Sequence, residues 1–153
     1  MEPDFGQKNN EKKQMGLATF TCIFNRDLSK ILLLKRNKEK LEKYGIAWGN
    51  IGGKVEVGEL TKNAAVREIK EEIGVEVSPR DLYLIEIKED IHSFKQFHAV
   101  FFIYATAIDE SSNIIINNES ESYCWFSLDN LPEGRSNEDV HSILLKFNEV
   151  LGS

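Results

Sequence analysis

The sequence predicts an α/β fold, in which β-strands and α-helices share one hydrophobic core. Residues 17–24, 30–34 and 99–107 are apolar segments rich in β-branched and aliphatic side chains, a composition typical of strands. Residues 61–73, between the second and third of these segments, have helical periodicity and marked ends. Strand-like and helix-like segments therefore alternate along the chain, which favours a mixed architecture over an all-α or all-β one.

The strands follow from local patterns taken in order. The first two apolar segments are separated by the turn-forming residues 25–27, which predicts a β-hairpin. The strongly charged residues 37–44 are compatible with a loop or a short helical turn, and we predict a loop. Residues 82–87 alternate between apolar and polar side chains, whereas residues 99–107 are almost continuously apolar. Both are predicted strands, and the second is the more deeply buried.

Two helices are predicted after the hairpin. Residues 61–73 form the first, with Thr61 as its N-cap and Gly74 ending it in a left-handed turn. Residues 138–150 form the second, which is expected to close one face of the sheet. Its apolar residues recur at helical spacing: Val140, Ile143, Leu144, Phe147 and Leu151.

Length and charge limit the organisation and the partners. A chain of 153 residues suits one hydrophobic core, so we expect a single domain, residues 16–153, after a flexible polar tail, residues 1–15. The formal net charge of -6 disfavours a broad basic surface for a nucleic-acid polymer. Small anionic substrates are still compatible with this charge, because bound divalent cations invert the local field of an acidic site.

Cysteine usage and hydropathy indicate a cytoplasmic protein. Cys22 and Cys124 have no CxxC spacing, and we interpret both as reduced core thiols. The first fifteen residues lack the apolar stretch of a signal peptide, and no apolar run approaches the roughly 18 residues that span a bilayer. We therefore expect no membrane partner.

The helix at residues 61–73 carries an acidic face. Glu68, Glu71 and Glu72 stand at positions i, i+3 and i+4, so their carboxylates project from one side. Each like-charged pair at such spacing costs an isolated helix about 0.2 to 0.5 kcal/mol, which a bound cation would offset. Carboxylate oxygens suit hard ions, so Mg²⁺ is the expected cofactor and Mn²⁺ an acceptable substitute.

The alternative interpretation is a solvated helix face, with Arg67 and Lys70 as the partners of the acids. The segment before the helix argues against a solvated face, because it contains three glycines, Gly52, Gly53 and Gly58. Glycines of this kind let backbone groups approach a ligand closely.

The same segment carries a family resemblance. From Gly53 the chain runs through five residues to Glu59, and seven more lead to Arg67-Glu68-Ile69-Lys70-Glu71-Glu72-Ile73-Gly74-Val75. Residues 53–75 thus resemble the Nudix box at every fixed position, and the chain is similar to the MutT-like subgroup of the Nudix hydrolases. The resemblance implies an α/β/α sandwich with a mixed β-sheet.

The resemblance also implies a metal site on the acidic face. Glu71 and Glu72 look like the main metal ligands, and Glu68 looks like a further ligand or the base that activates water. The Gly52 carbonyl resembles the backbone ligand of MutT-like members. From the resemblance we assign Glu68 and Glu71 to catalysis as well as to metal binding.

Two residues of the box look like supports for these acids. Arg67 and Glu59 resemble a pair that orients the helix and its carboxylates, and we place both in the catalytic set. Bound cations of this kind neutralise charge on phosphate oxygens and lower the pKa of a bound water, so no covalent nucleophile is required.

Sites outside the box have a second interpretation each. The resemblance places Arg36 and Lys54 on the substrate phosphates, although each is equally compatible with an exposed surface charge. It places one further metal-binding acid in the loop before the strand at residues 123–126, and we favour Glu121 over Glu119. Asn137 resembles a base-reading asparagine, and the alternative is an N-cap of the last helix.

The expected function is therefore metal-dependent hydrolysis of a pyrophosphate bond. The leading hypothesis is cleavage of a canonical or oxidised (d)NTP to the monophosphate and pyrophosphate, by a monomer or a homodimer. One alternative is cleavage of ADP-ribose, an NDP-sugar or a dinucleoside polyphosphate. The other is a non-catalytic nucleotide-binding regulator, which the intact set of box glutamates disfavours.

Overall fold

The structure is a computed structural model, and it describes residues 14–92, 97–135 and 139–153. Within these ranges the strands are β1 (Gln14–Asn25), β2 (Lys30–Arg36), β3 (Trp48–Gly49), β4 (Ile51–Lys54), β5 (Tyr83–His92), β6 (Phe97–Ile108) and β7 (Ser120–Ser127). The helices are α1 (Lys38–Tyr44), α2 (Thr61–Ile73) and α3 (Val140–Leu151), with a 3-10 turn at Pro79–Asp81.

The strands form one mixed sheet, as expected. Its central order is β3-β2-β1-β6-β5, with β4 added to β1 and β7 added to β2. The β1–β6 pair is parallel along its whole length, from Gln14 opposite Phe97 to Asn25 opposite Ile108. The other strand pairs are antiparallel. Pairing with both β2 and β6 makes β1 the centre of the sheet.

Helices cover both faces of this sheet because strand side chains alternate between them. On one face α2 packs against β1, β2 and β6, and the shared core includes Ile23, Leu32, Ala65, Ile69 and Ile73. On the other face α3 packs against the same strands, and that core includes Phe24, Ile31, Leu33, Ile143 and Phe147. The predicted α/β/α sandwich is thereby confirmed.

The helix that carries the acidic face has the predicted bounds, and only its cap was wrong. Gly74 has φ of 71° and ends α2, with its N–H donating to the Lys70 carbonyl. Leu60 occupies the N-cap position and makes no side-chain cap bond. Thr61 is the first helical residue, and its hydroxyl lies 2.8 Å from the Tyr104 hydroxyl. A tertiary partner therefore takes the oxygen that we expected to cap the helix.

The predicted loop at residues 37–44 is wrong for most of its length, because Lys38–Tyr44 form helix α1. The Asn37 side chain accepts a hydrogen bond from the Lys40 N–H, and Gly45, with φ of 71°, ends the helix. None of its residues is buried. Because no side of α1 is buried, its sequence has no apolar stripe, and only the capping residues could have distinguished this helix from a loop in the sequence.

The ends of the chain depart slightly from the prediction. Strand β1 begins at Gln14, and the rest of the expected tail lies outside the described residues. Helix α3 begins at Val140 and is capped by Asp139, whose side chain accepts the Ser142 N–H. The predicted hairpin is confirmed by the β1–β2 pairing.

The structure also bears on the state of the cysteines and on the presence of membrane-spanning helices. Cys22 and Cys124 are both reduced cysteines outside any disulfide, as predicted, although Cys124 is only half-buried. In the part of the chain that the structure describes, no helix is long and apolar enough to cross a membrane.

Candidate functional site

The candidate site forms where β4 runs beneath α2. The Gly52 N–H donates to Glu72 Oε2 at 3.0 Å, which ties the strand to the acidic face of the helix. Gly52 lies opposite Phe20 of β1 in an antiparallel ladder. In an antiparallel strand, the N–H and the C=O of one residue point to the same side of the strand. Because the Gly52 N–H points to Glu72, the Gly52 carbonyl is directed to that side as well.

Glu72 is the most enclosed acid of the site. It is 1% exposed, and its Oε1 atom has no hydrogen-bond partner. Burial raises the pKa of Glu72 well above its ordinary value, and the charges of Glu68 and Glu119 raise it further. The Gly52 N–H opposes this shift by stabilising the carboxylate. Glu72 thus has a buried oxygen without a hydrogen-bond partner, and burial disfavours its charged form. A bound cation would compensate for both, so the site is suited to a cation.

Arg67 joins the other residues of the site through its guanidinium. Its Nε and Nη2 atoms donate to the two carboxylate oxygens of Glu59, at 2.9 and 3.0 Å. Its Nη1 atom donates to Glu68 Oε1 at 2.8 Å and reaches Glu71 Oε2 at 3.4 Å. Nη2 also donates to the Lys54 carbonyl at 3.0 Å. One side chain thus links α2 to the end of β4 and to the loop that carries Glu59.

The protonation equilibria reflect this network. The hydrogen bonds from Arg67 lower the pKa of Glu59, and the same bonds raise the pKa of Arg67. Burial raises the pKa of Glu68, which its ion pair with Arg67 only partly offsets. The pairing of Glu59 with Arg67 therefore favours the charged forms of both, whereas burial disfavours the charged forms of Glu68 and Glu72.

The oxygen atoms of these acids and of Gly52 fit a hard divalent cation, although the carboxylates do not converge on one point. Among the described residues no group of three or more His, Cys, Asp or Glu side chains stands ready to hold a metal ion. Glu68 and Glu71 each pair instead with the Arg67 guanidinium. The orphaned Oε1 of Glu72 and the backbone oxygen of Gly52 are still the oxygen donors that Mg²⁺ prefers.

Gly53 leaves the space that Glu68 occupies. A Cβ atom added at this position would overlap the Glu68 carboxylate, which is the free end of a side chain. We expect Gly53→Ala to fold normally but to lower turnover about 10-fold, because the carboxylate must move from its position. Steady-state kinetics and thermal unfolding of the purified variant check this.

Gly52→Ala provides the contrast to that variant. A Cβ at Gly52 would meet the Thr19 carbonyl and the Phe20 ring, so the backbone itself must shift. We expect this variant to lose stability as well as turnover. A Gly53→Ala protein as unstable as Gly52→Ala would show that Gly53 serves packing rather than the carboxylate.

Two acids of the segment before β7 are candidates for the further metal ligand, Glu119 and the favoured Glu121, and both stay predictions. The charge of Glu119 raises the pKa values of both Glu68 and Glu72. Glu121 is exposed and lies where the β2–β7 register shifts. The sequence pattern did not reveal this irregularity, which breaks the simple alternation of side chains.

The predicted phosphate-binding residues have different surroundings. Arg36 is 1% exposed, with its guanidinium 5.0 Å from the centre of the Tyr44 ring, so the alternative of an exposed charge is wrong. Lys54 is exposed at the end of β4, directly beside the site. Asn137 lies outside the described residues, and its alternative role as helix cap belongs to Asp139. Substrate contact by these residues stays a prediction.

Comparison with known proteins supplies the family. The sequence model of the NUDIX domain matches residues 15–147. The chain is 30% identical over 112 residues to the dihydroneopterin triphosphate diphosphatase of Escherichia coli (strain K12), across 73% of this chain. It spans 64% of the length of that relative. The enzyme of the same name from Haemophilus influenzae is 23% identical, with 92% of this chain and 88% of that protein covered.

Solved structures show the same fold. The MutT NUDIX hydrolase from Burkholderia pseudomallei superposes with a TM-score of 0.69 at 26% identity, covering 85% of this chain and 96% of that one. A C. elegans Ap4A hydrolase superposes with a TM-score of 0.60 at 20% identity, covering 90% of this chain and 98% of the other. At that identity the second likeness concerns the fold alone.

Proposed function

This chain belongs to the NUDIX domain family, and on that basis we propose that it hydrolyses a nucleoside triphosphate, or a similar triphosphate ester, to the monophosphate and pyrophosphate. The observation that carries the proposal is the buried carboxylate of Glu72, whose Oε1 atom has no partner beside the glycines of β4. A buried acid of this kind is costly unless a cation completes it.

The choice of a triphosphate has support from the relatives. The named E. coli and H. influenzae proteins are diphosphatases of dihydroneopterin triphosphate, a triphosphate ester. The identity of the base stays open to the experiment below.

We propose Mg²⁺ as the cofactor, with Mn²⁺ able to replace it. Glu72, Glu68, Glu71 and the Gly52 carbonyl would hold the cations, and Glu119 would add the acid from the segment before β7. When bound, such cations neutralise the phosphate oxygens and lower the pKa of a water. Arg67 pairs with one oxygen of Glu68 and one of Glu71, so it would support both carboxylates while their second oxygens contact a cation.

The remaining groups of the chain would position the reaction. Arg67 and Glu59 hold the middle of α2 to the end of β4, so the acids of the helix would keep a fixed distance from the glycines. Glu68, with its raised pKa, would take the proton of the attacking water. Lys54 would contact a phosphate oxygen at the rim. Arg36 is buried, so we propose no phosphate contact for it in this arrangement.

The test is a hydrolysis panel in Mg²⁺ containing the (d)NTPs, 8-oxo-dGTP, dihydroneopterin triphosphate, ADP-ribose, NDP-sugars and dinucleoside polyphosphates. We expect a triphosphate to yield the monophosphate and pyrophosphate, with no turnover in EDTA. Glu76→Gln is a matched control, since Glu76 is an exposed acid that pairs with Lys70 at 2.7 Å outside the site.

Other outcomes lead to other assignments. Cleavage of only the diphosphate-linked compounds would move the function to that substrate class. Tight nucleotide binding without any product would indicate a regulator rather than an enzyme. The cytoplasmic location, the absence of a nucleic-acid partner and the monomeric or homodimeric state stay predictions.

A further inference from the structure

One side-chain amide joins the catalytic helix to the segment before β7. The Nδ2 group of Asn117 donates to the Glu71 carbonyl at 2.9 Å. Its Oδ1 atom accepts the Glu119 N–H, also at 2.9 Å. An amide is suited to this place because it offers a donor and an acceptor from one planar group. The backbone of Glu119 is thereby held at a fixed distance from the backbone of Glu71.

A second set of bonds holds the same segment from helix α1. The Asn37 N–H donates to the Glu119 carbonyl at 3.1 Å, and the Asn37 side chain donates to the Asn118 carbonyl at 2.8 Å. Lys40 Nζ lies 3.2 Å from Glu119 Oε1. The N–H of Glu119 is therefore bonded within its own segment, to Asn117, whereas its carbonyl and its carboxylate have partners at the start of α1, namely Asn37 and Lys40.

The segment is also attached just beyond the end of α2. The Ile115 N–H donates to the Ile73 carbonyl at 2.9 Å. A Cβ added at Gly74 would lie 3.2 Å from Ile115 Cβ, so the two backbones are in close contact there. Bonds to Ile73 and to Glu71 place this irregular segment along the last turn of the helix that carries Glu72.

From these contacts we propose that Asn117 is a positioning residue. It fixes the distance between the Glu119 carboxylate and the acids of α2, and through that distance it increases the affinity for the cation. The inference rests on the metal-dependent function proposed above. Asn117 itself would touch neither cation nor substrate, since both ends of its amide are engaged with backbone groups.

A purely structural role for Asn117 makes a different prediction. A residue that only fastens the segment would change the stability of the protein, and it would do so whether or not Glu119 carries a charge. A residue that acts through Glu119 loses its effect on cation binding once that carboxylate has been neutralised. The two roles are separated by a double-mutant cycle.

The experiment measures Mn²⁺ binding by electron paramagnetic resonance of the free ion, with full-length wild type, Asn117→Ala, Glu119→Gln and the double variant. Asn118→Ala is the matched control, because that exposed neighbour contributes its carbonyl rather than its side chain. Thermal unfolding in EDTA reports the fold of each protein separately. Asn117→Ser, which also loses the bond to the Glu71 carbonyl, replaces the alanine variant should that unfold.

We expect Asn117→Ala to weaken Mn²⁺ binding about 10-fold, as loss of a supporting hydrogen bond does at other metal sites. In the Glu119→Gln background the same change should alter Kd less than about 2-fold. Asn118→Ala should bind as wild type does. An unchanged Kd for Asn117→Ala, or an equal loss in both backgrounds, would overturn the inference. Wild type that binds Mn²⁺ but cleaves nothing would overturn only the proposed hydrolysis.

Discussion

Glu72→Gln is expected to lower turnover by about 1000-fold or more while leaving the metal-free protein at least as stable as wild type. The loss of activity follows because a neutral amide cannot replace a carboxylate as a cation ligand. The stability follows from burial, since Glu72 is 1% exposed and ionising it inside the protein is costly. Glutamine has the same shape and still accepts the Gly52 N–H.

The pH dependence has a definite sign. Burial raises the pKa of Glu72 above its ordinary value of 4.5, so the folded protein retains this proton to higher pH than the unfolded chain does. The resulting stabilisation is complete below the ordinary value and is lost as the pH rises through the raised one. Cation affinity should increase over the same interval, because ligation requires the carboxylate.

Thermal unfolding in EDTA at pH 5 and pH 8 measures this effect. Wild type should lose more stability between the two pH values than Glu72→Gln does, and Glu76→Gln should behave as wild type. A Glu72→Gln protein that is active, or that unfolds well below wild type at pH 8, would contradict the role given to this acid.

Arg67→Ala is expected to lower turnover about 100-fold, and Arg67→Lys should recover little of the loss. The guanidinium contacts two oxygens of Glu59 and the Lys54 carbonyl in one plane, as well as Glu68. An ammonium group presents a single charge without this fork. The acids of α2 would then lose their common support.

Lys70→Ala is the control for that variant, because Lys70 is a cation of the same helix whose ion pair with Glu76 is exposed. Steady-state kinetics as a function of Mg²⁺ concentration give the comparison. We expect Lys70→Ala to match wild type, whereas Arg67→Ala should need more Mg²⁺ and reach a lower kcat. Full activity in Arg67→Lys would show that charge alone suffices.

The sequence predicted the parts of the molecule that depend on strong periodicity. Helix α2 begins and ends at the expected residues because its apolar stripe and Gly74 both mark it. The sheet is mixed, as expected, with β6 the buried strand in its interior. Of the predicted site, Gly52, Glu68, Arg67 and Glu59 lie together, since β4, the loop after it and α2 follow one another in the chain.

The features that the sequence did not predict have physical causes of another kind. We favoured Glu121 as the further acid, and the β2–β7 register shift at that residue has no signal in the sequence. Arg36 is buried, with its guanidinium over the Tyr44 ring of helix α1, and that helix has no apolar stripe to mark it. Asn117 was not singled out because its bond to the Glu71 carbonyl joins residues 46 positions apart. No local pattern reports contacts of that sort.

The parallel pairing of β1 with β6 has a consequence for how the protein acquires its site. These strands are far apart in the sequence, and the chain between them, including β4 and α2, forms the loop that their pairing closes. Pairing between distant strands loses loop-closure entropy before the contacts between them can stabilise the chain, and this slows folding. During synthesis on the ribosome, Gly52 and Glu72 emerge long before β6 does. A nascent chain therefore carries every residue of the Nudix box before it has the sheet that aligns them.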